Sequence, residues 1–242
     1  MKEQLYTIPV TDAFESNCEC PLCKMKKELE QNAIEYTLGP SYMEDDNRAM
    51  TDELGFCEQH IQRLYLEKNR LGLALILSTH MAKVTKDLQK LTEGSTSDSS
   101  FFKKKSESSG VGTYITNLSH NCFICKRVEQ TFDRYVDTIF HLYKKDSTFS
   151  QKIQSSNGFC TYHFALLYDR AAQYLSKDTL NNFRCDIKNV YFSNMERMQE
   201  DIEWFINKFD YRYQNEPWKN AKDALPRSIL KTHSAITPDT DL

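Results

Sequence analysis

The sequence predicts an all-α protein made of two tandem helical repeats, each clipped by a Cys3His metal site, with long amphipathic helices packed as a bundle. Three observations carry that prediction. Glycine (7) and proline (6) are scarce in 242 residues, which disfavours a turn-rich β fold. Apolar residues recur every three to four positions over long stretches, the period of a helix with one buried face. And one pattern is written twice. Cys20-Pro21-Leu22-Cys23 with Gly55-Phe56-Cys57-Glu58-Gln59-His60 returns as Cys122-Phe123-Ile124-Cys125 with Gly158-Phe159-Cys160-Thr161-Tyr162-His163. Cys20 to Cys122 is 102 positions, and Cys57 to Cys160 and His60 to His163 are both 103. That constant offset is the signature of a duplicated unit.

Taken in order, the chain starts with an extended segment at Tyr6–Val10. Pro21 then suits the first position of a helix, where its missing N–H costs nothing. Leu22, Met25, Leu29, Ala33 and Tyr36 mark the buried stripe of that helix, and Gly39-Pro40 ends it. Tyr42 to Leu54 reads as an acidic, irregular stretch with room for a short helical turn, leading to Gly55. From Cys57 one long helix is expected to about Leu91, with Ile61, Leu64, Leu71, Leu75, Val84, Leu88 and Leu91 inward and no proline to interrupt it. Thr92 to Gly112 is rich in serine and glycine and carries Lys103-Lys104-Lys105, the composition of a flexible linker. In the second repeat Ile124, Val128, Tyr135, Ile139 and Leu142 give a helix to about Lys145, followed by a short polar piece. Phe164, Leu167, Tyr168, Ala171 and Leu175 give the next. Leu180, Phe183, Ile187, Val190, Met198, Ile202, Phe205 and Phe209 give a last long one. The expected division is a first repeat at 1–92, a linker at 93–112, a second repeat at 113–215 and a tail at 216–242, docked or disordered.

The repeated residues have the chemistry of metal ligands. A structural zinc site is a closed tetrahedron of thiolates and imidazoles. Cys-x-x-C sets two sulfurs on one side of a turn, and Cys-x-x-His at a helix start places both ligands on one face. Gly55 and Gly158 allow a backbone turn that other residues resist. Eight ligands are expected: Cys20, Cys23, Cys57 and His60 in the first repeat, and Cys122, Cys125, Cys160 and His163 in the second. Pairing within each repeat is the expectation. Pairing across the repeats, with Cys20 and Cys23 meeting Cys160 and His163, is the alternative. Two Zn²⁺ ions are expected. An iron–sulfur cluster usually takes four thiolates, so the histidine favours zinc. A redox dithiol of the thioredoxin type belongs beside a βαβ pattern, and none is visible. Cys18 and His120 each lie two residues before a Cys-x-x-C and are candidate accessory ligands. His80, on a helix twenty positions after His60, would face about 200° away and cannot share its metal. Cys185 lies off its stripe and reads as a lone thiol.

The formal charge of −3 becomes −5 with two filled sites, since Zn²⁺ with three thiolates and a neutral imidazole carries −1. An acidic protein has no general attraction to phosphate backbones, so nucleic acid is not an expected partner. No apolar run is long enough to span a bilayer, and the first residues lack the apolar core of a signal peptide. Cysteines committed to metal fit a reducing cytoplasm.

With these motifs on the page, the chain resembles an uncharacterised bacterial family, a domain of unknown function. Glu35-Tyr36-Thr37-Leu38-Gly39-Pro40-Ser41-Tyr42-Met43 and Asn69-Arg70-Leu71-Gly72-Leu73-Ala74-Leu75 add to the likeness, which spans most of residues 1–215. The resemblance implies a helical, metal-binding cytoplasmic protein and brings no reaction or substrate. The expected role is a binding or regulatory module with an unidentified protein partner and no catalytic residues. A thiol or zinc redox sensor is the alternative, and a metal-dependent enzyme comes behind it.

Overall fold

The computed structural model describes residues 2–94 and 110–240, and all regular structure among them is helical. The helices are α1 (Lys2–Glu15), α2 (Pro21–Leu38), α3 (Asp45–Leu54), α4 (Glu58–Leu66), α5 (Arg70–Gly94), α6 (Gly110–His120), α7 (Phe123–Lys145), α8 (Ser147–Ser155), α9 (Thr161–Tyr174), α10 (Lys177–Asn207) and α11 (Ala224–His233). The chain forms two compact units, Met1–Glu28 with Phe132–Leu242, and Leu29–Thr131. The sequence repeat and the compact unit are therefore different divisions of the chain. Each unit draws residues from both copies of the motif.

In the unit of Met1–Glu28 and Phe132–Leu242, the core is aromatic. Phe14, Phe140, Phe149, Phe159 and Phe183 are all buried, and the rings of Phe14 and Phe149 meet edge to face with centroids 5.1 Å apart. Such pairs add about 0.5–1.5 kcal/mol beyond the area they bury. The extended start expected at Tyr6–Val10 is instead part of α1, with Pro9 inside the helix. Val10, Ala13 and Phe14 are buried from one helical face, and that burial outweighs the hydrogen bond proline cannot make. The polar piece after Lys145 is also helical. Asp146 caps α8 by accepting from the Thr148 N–H at 2.8 Å, which satisfies an otherwise orphaned donor. Buried Phe149 and Ile153 fasten that helix to the core.

In the Leu29–Thr131 unit the core is Ala33, Ile34, Leu38, Leu64, Leu73, Ile76, Phe123, Ile124 and Val128. The single helix expected from Cys57 to Leu91 is two helices, α4 and α5, broken at 67–69. Asn69 makes the break. Its Oδ1 accepts from the Gly72 N–H at 2.9 Å and caps α5, while its Nδ2 donates to the Leu38 carbonyl at 2.7 Å. Restarting the helix shifts its phase, so Leu73 and Ile76 are buried while Leu71 stays 67% exposed. The stretch expected to be irregular before Gly55 contains α3, whose first turn carries Asp45 and Asp46. Negative charge is favourable at that end of a helix dipole.

Of the stripe expected on α7, Ile124, Val128, Ile139 and Leu142 are buried and Tyr135 is half-buried. In α10 Phe183, Ile187, Val190 and Met198 are buried, but Phe209, expected inward, is 75% exposed and lies beyond the helix end. Of the expected linker, residues 93–94 and 110–112 are helical, and the remainder, including Lys103–Lys105, lies outside the described residues. The tail docks: α11 buries Ala224, Leu230 and Lys231.

Candidate metal centres

All eight predicted ligands converge, in two groups of four, but not as the within-repeat expectation had it. Cys20, Cys23, Cys160 and His163 form one group, and Cys57, His60, Cys122 and Cys125 form the other, each with its ligand atoms within 4.8 Å of one another. The Cys-x-x-C of one copy thus meets the Cys-x-x-His of the other. The groups coincide with the units, one in each.

The local geometry explains why these residues serve. Cys20 immediately precedes α2, and Cys23 is its third residue. Cys122 and Cys125 hold the same places on α7. Cys57 and Cys160 are the N-cap residues of α4 and α9, with nearly the same backbone (φ −71°, ψ 163° and φ −72°, ψ 161°). His60 and His163 are then the third helical residues. Every ligand occupies an N-cap or third position, where free backbone N–H groups and the helix dipole favour a thiolate. The Cys160 sulfur accepts from the His163 N–H at 3.4 Å, and the Cys122 sulfur from the Cys125 N–H at 3.5 Å. Gly55 (φ 60°) and Gly158 (φ 80°) turn the chain into each Cys-x-x-His. At Gly158 a Cβ would also lie 3.2 Å from the Val190 carbonyl oxygen.

The distances fit a single tetrahedral ion. Metal–sulfur bonds of about 2.3 Å and metal–nitrogen bonds of about 2.05 Å, those of tetrahedral zinc, place sulfurs about 3.8 Å apart and sulfur about 3.5 Å from nitrogen. In the first group His163 Nδ1 lies 3.4, 3.3 and 3.2 Å from the sulfurs of Cys20, Cys23 and Cys160, and Cys23 lies 3.6 Å from Cys160. In the second, His60 Nδ1 lies 3.2, 3.3 and 3.3 Å from Cys57, Cys122 and Cys125, and Cys57 lies 3.9 Å from Cys125. None of these cysteines is in a disulfide.

Electrostatics agree with the geometry. Burial works against a charged His60, yet hydrogen bonds to Cys122 and Glu30 outweigh it and push the ring up to about 10. A field that holds a proton on that ring also draws a divalent cation. Hydrogen bonds from Cys20 and then Cys23 hold the Cys160 thiol well below its usual range against the effect of burial. Burial, joined by the Cys160 sulfur, pushes Cys20 up to about 12. Three sulfurs crowded together share their protons unequally, and a metal replaces those protons.

The surroundings of the two groups differ, in ways that motif spacing does not signal. Beside the second group, Glu30 Oε1 accepts from His60 Nε2 at 2.8 Å, and Glu30 is itself paired with Arg63. A carboxylate there fixes the tautomer that leaves Nδ1 free for metal. Replacing Glu30 by Gln is expected to weaken metal binding at this group by about 10–100-fold, as measured by competition with a chromophoric chelator. Equal affinity would show Glu30 to be only a surface partner. A backbone bond from the Phe123 N–H to the Gly55 carbonyl, 3.0 Å, joins the two ligand loops directly.

At the first group, α11 does the joining. Lys231, 1% exposed, donates from Nζ to the Glu19 carbonyl at 2.7 Å and also to the Asn157 carbonyl. Those carbonyls precede Cys20 and Gly158. Glu19, buried, receives Lys231, Arg197 and Arg227 on its carboxylate. Burial acts against the charged Glu19, but Arg197 and Lys231 win and hold its carboxyl below the usual range. Ser234, just after α11, donates its hydroxyl to the Cys160 sulfur at 3.0 Å. His163 Nε2 is buried without a hydrogen-bond partner, and the ring packs on Phe132 with centroids 5.5 Å apart.

The accessory candidates lie outside both groups. Cys18 is buried, accepting from Ser16 at 3.2 Å and directed at the Ala13 carbonyl, where burial pushes its thiol up. His120 is exposed at the end of α6, with Nδ1 2.7 Å from the Thr116 carbonyl. His80 faces the Asp52 carbonyl at 2.9 Å. Cys185 is exposed.

Among the described residues no helix is long and apolar enough to cross a membrane. Comparison with curated proteins and with solved structures finds no match to either. A family profile, described as a family of unknown function (DUF6062), matches residues 1–239, beyond the span of the resemblance read from the sequence and including the docked tail. The chain belongs to this family of unknown function.

Proposed function

We propose that the chain is a cytoplasmic zinc protein whose two Cys3His sites are structural and whose helical body acts as a binding or regulatory module. The observation that supports it most is the closure of each group: four protein ligand atoms sit at the mutual distances of a tetrahedron, the composition of a structural site rather than one with an exchangeable position. The donor set of three sulfurs and one imidazole suits zinc over oxygen-seeking cations. The −3 formal charge, about −5 when loaded, favours a protein partner over nucleic acid. Elemental analysis after exhaustive dialysis is expected to give two zinc ions per chain. One ion, or none, would contradict the proposal.

A further inference from the structure

The two groups share a ligand set and differ in shielding. Around the first, Cys20, Cys23 and Cys160 are at most 3% exposed, and Lys231 and Ser234 close over the ligand loops from α11. In the second, Cys57 and Cys125 are each only half-buried, their sulfurs 3.9 Å apart. Zinc-bound thiolates remain nucleophiles, and access decides which of them react. We propose that Cys57 and Cys125 form a site of oxidative modification, at which a peroxide converts the pair to a disulfide and discharges the metal of the Leu29–Thr131 unit alone. This rests on both groups holding zinc.

The step balances as follows. One thiolate of the pair attacks a peroxide oxygen; an S–O bond forms, the O–O bond breaks, and hydroxide leaves. The second thiolate attacks the resulting sulfenic acid at sulfur; an S–S bond forms, the S–O bond breaks, and a second hydroxide leaves. Two sulfurs lose two electrons in all, and the peroxide takes them up. Only His60 and Cys122 would then remain to hold an ion, too few for a stable site.

The consequence falls on α4. That helix has nine residues, with Cys57 as its N-cap and His60 in its first turn. A helix this short is marginal without tertiary support. Its remaining inward anchors are Leu64, buried in the core of the unit, and half-buried Ile61, packed against the same core. Oxidation therefore loosens α4, and reduction with zinc present restores it. Helix α9, the counterpart in the other unit, has fourteen residues and packs against α10 and α11.

The test uses the full chain carrying Cys185→Ser, which removes the exposed lone thiol, loaded with zinc and given limiting hydrogen peroxide. Native mass spectrometry counts metals, and peptide mapping locates disulfides. The expected result is a one-zinc species with Cys57 joined to Cys125 and with Cys20, Cys23 and Cys160 reduced, the second ion being retained at least about tenfold longer. Both ions leaving together, or first oxidation at Cys20, Cys23 or Cys160, would overturn the proposal while leaving two structural zincs intact. A chain that holds no metal at the outset would overturn both.

Discussion

Chelation of both ions from the full chain is expected to abolish its cooperative thermal transition and most of its far-ultraviolet helical signal. The reason lies in where the ligands sit. They occupy the first turns of α2, α4, α7 and α9, so an ion held in each group would pin the starts of two helices. A structural zinc contributes about 10–16 kcal/mol in peptide systems, as much as the roughly 5–15 kcal/mol net stability of a domain. Loss of one is therefore comparable with the whole net stability of the unit that holds it, unless a disulfide joins the same ligand loops in its place. Circular dichroism before and after metal removal checks this. A metal-free chain that keeps its helices and a sharp transition would show that the apolar cores suffice alone.

The second large effect is expected at Lys231, a residue that carries no metal. Its ammonium is almost wholly enclosed and bridges the Glu19 and Asn157 carbonyls while touching the Glu19 carboxylate at 3.2 Å. Replacing it with Met keeps the length of the side chain and removes the donors. The buried Glu19 carbonyl and the half-buried Asn157 carbonyl then lose this donor, and Glu19 keeps Arg197 and Arg227. The expected cost is about 2–4 kcal/mol, less than the 3–5 kcal/mol of breaking an isolated buried pair, because Glu19 remains compensated. The melting temperature of the loaded protein should fall by roughly 4–16 °C for a chain of this size. The ion at Cys20, Cys23, Cys160 and His163 should also be lost to chelator faster, with the other unaffected. An unchanged melting curve would mean the clamp is incidental.

Much of this was legible in the sequence, and the failures have physical causes. The α7 stripe and the eight ligands could be read because helical period and ligand spacing are local properties. The break at Asn69 was legible in principle, since asparagine before a helical run is an N-cap signal. The uninterrupted apolar pattern on both sides concealed it. Helix α1 was missed because Pro9 argues against a helix locally, and only the burial of Val10 and Phe14 overrides it. Glu30, Lys231 and Ser234 are far in sequence from the sulfurs and imidazole they serve, so no spacing rule reaches them.

The pairing of the ligands lies further from what local spacing expresses. A duplicated motif identifies the ligands without saying which copy completes which tetrahedron. That choice depends on how the intervening helices carry the chain from each Cys-x-x-C to a Cys-x-x-His, a long-range property that spacing within a motif does not express.

Two double substitutions test the crossed pairing most directly, with zinc counted by native mass spectrometry. Cys23→Ala with Cys160→Ala damages one centre twice, so the chain should retain one zinc ion. Cys23→Ala with Cys57→Ala damages both, so it should retain none. The reverse pattern, no zinc in the first and one in the second, would mean that each repeat closes its own site and would contradict the arrangement described above.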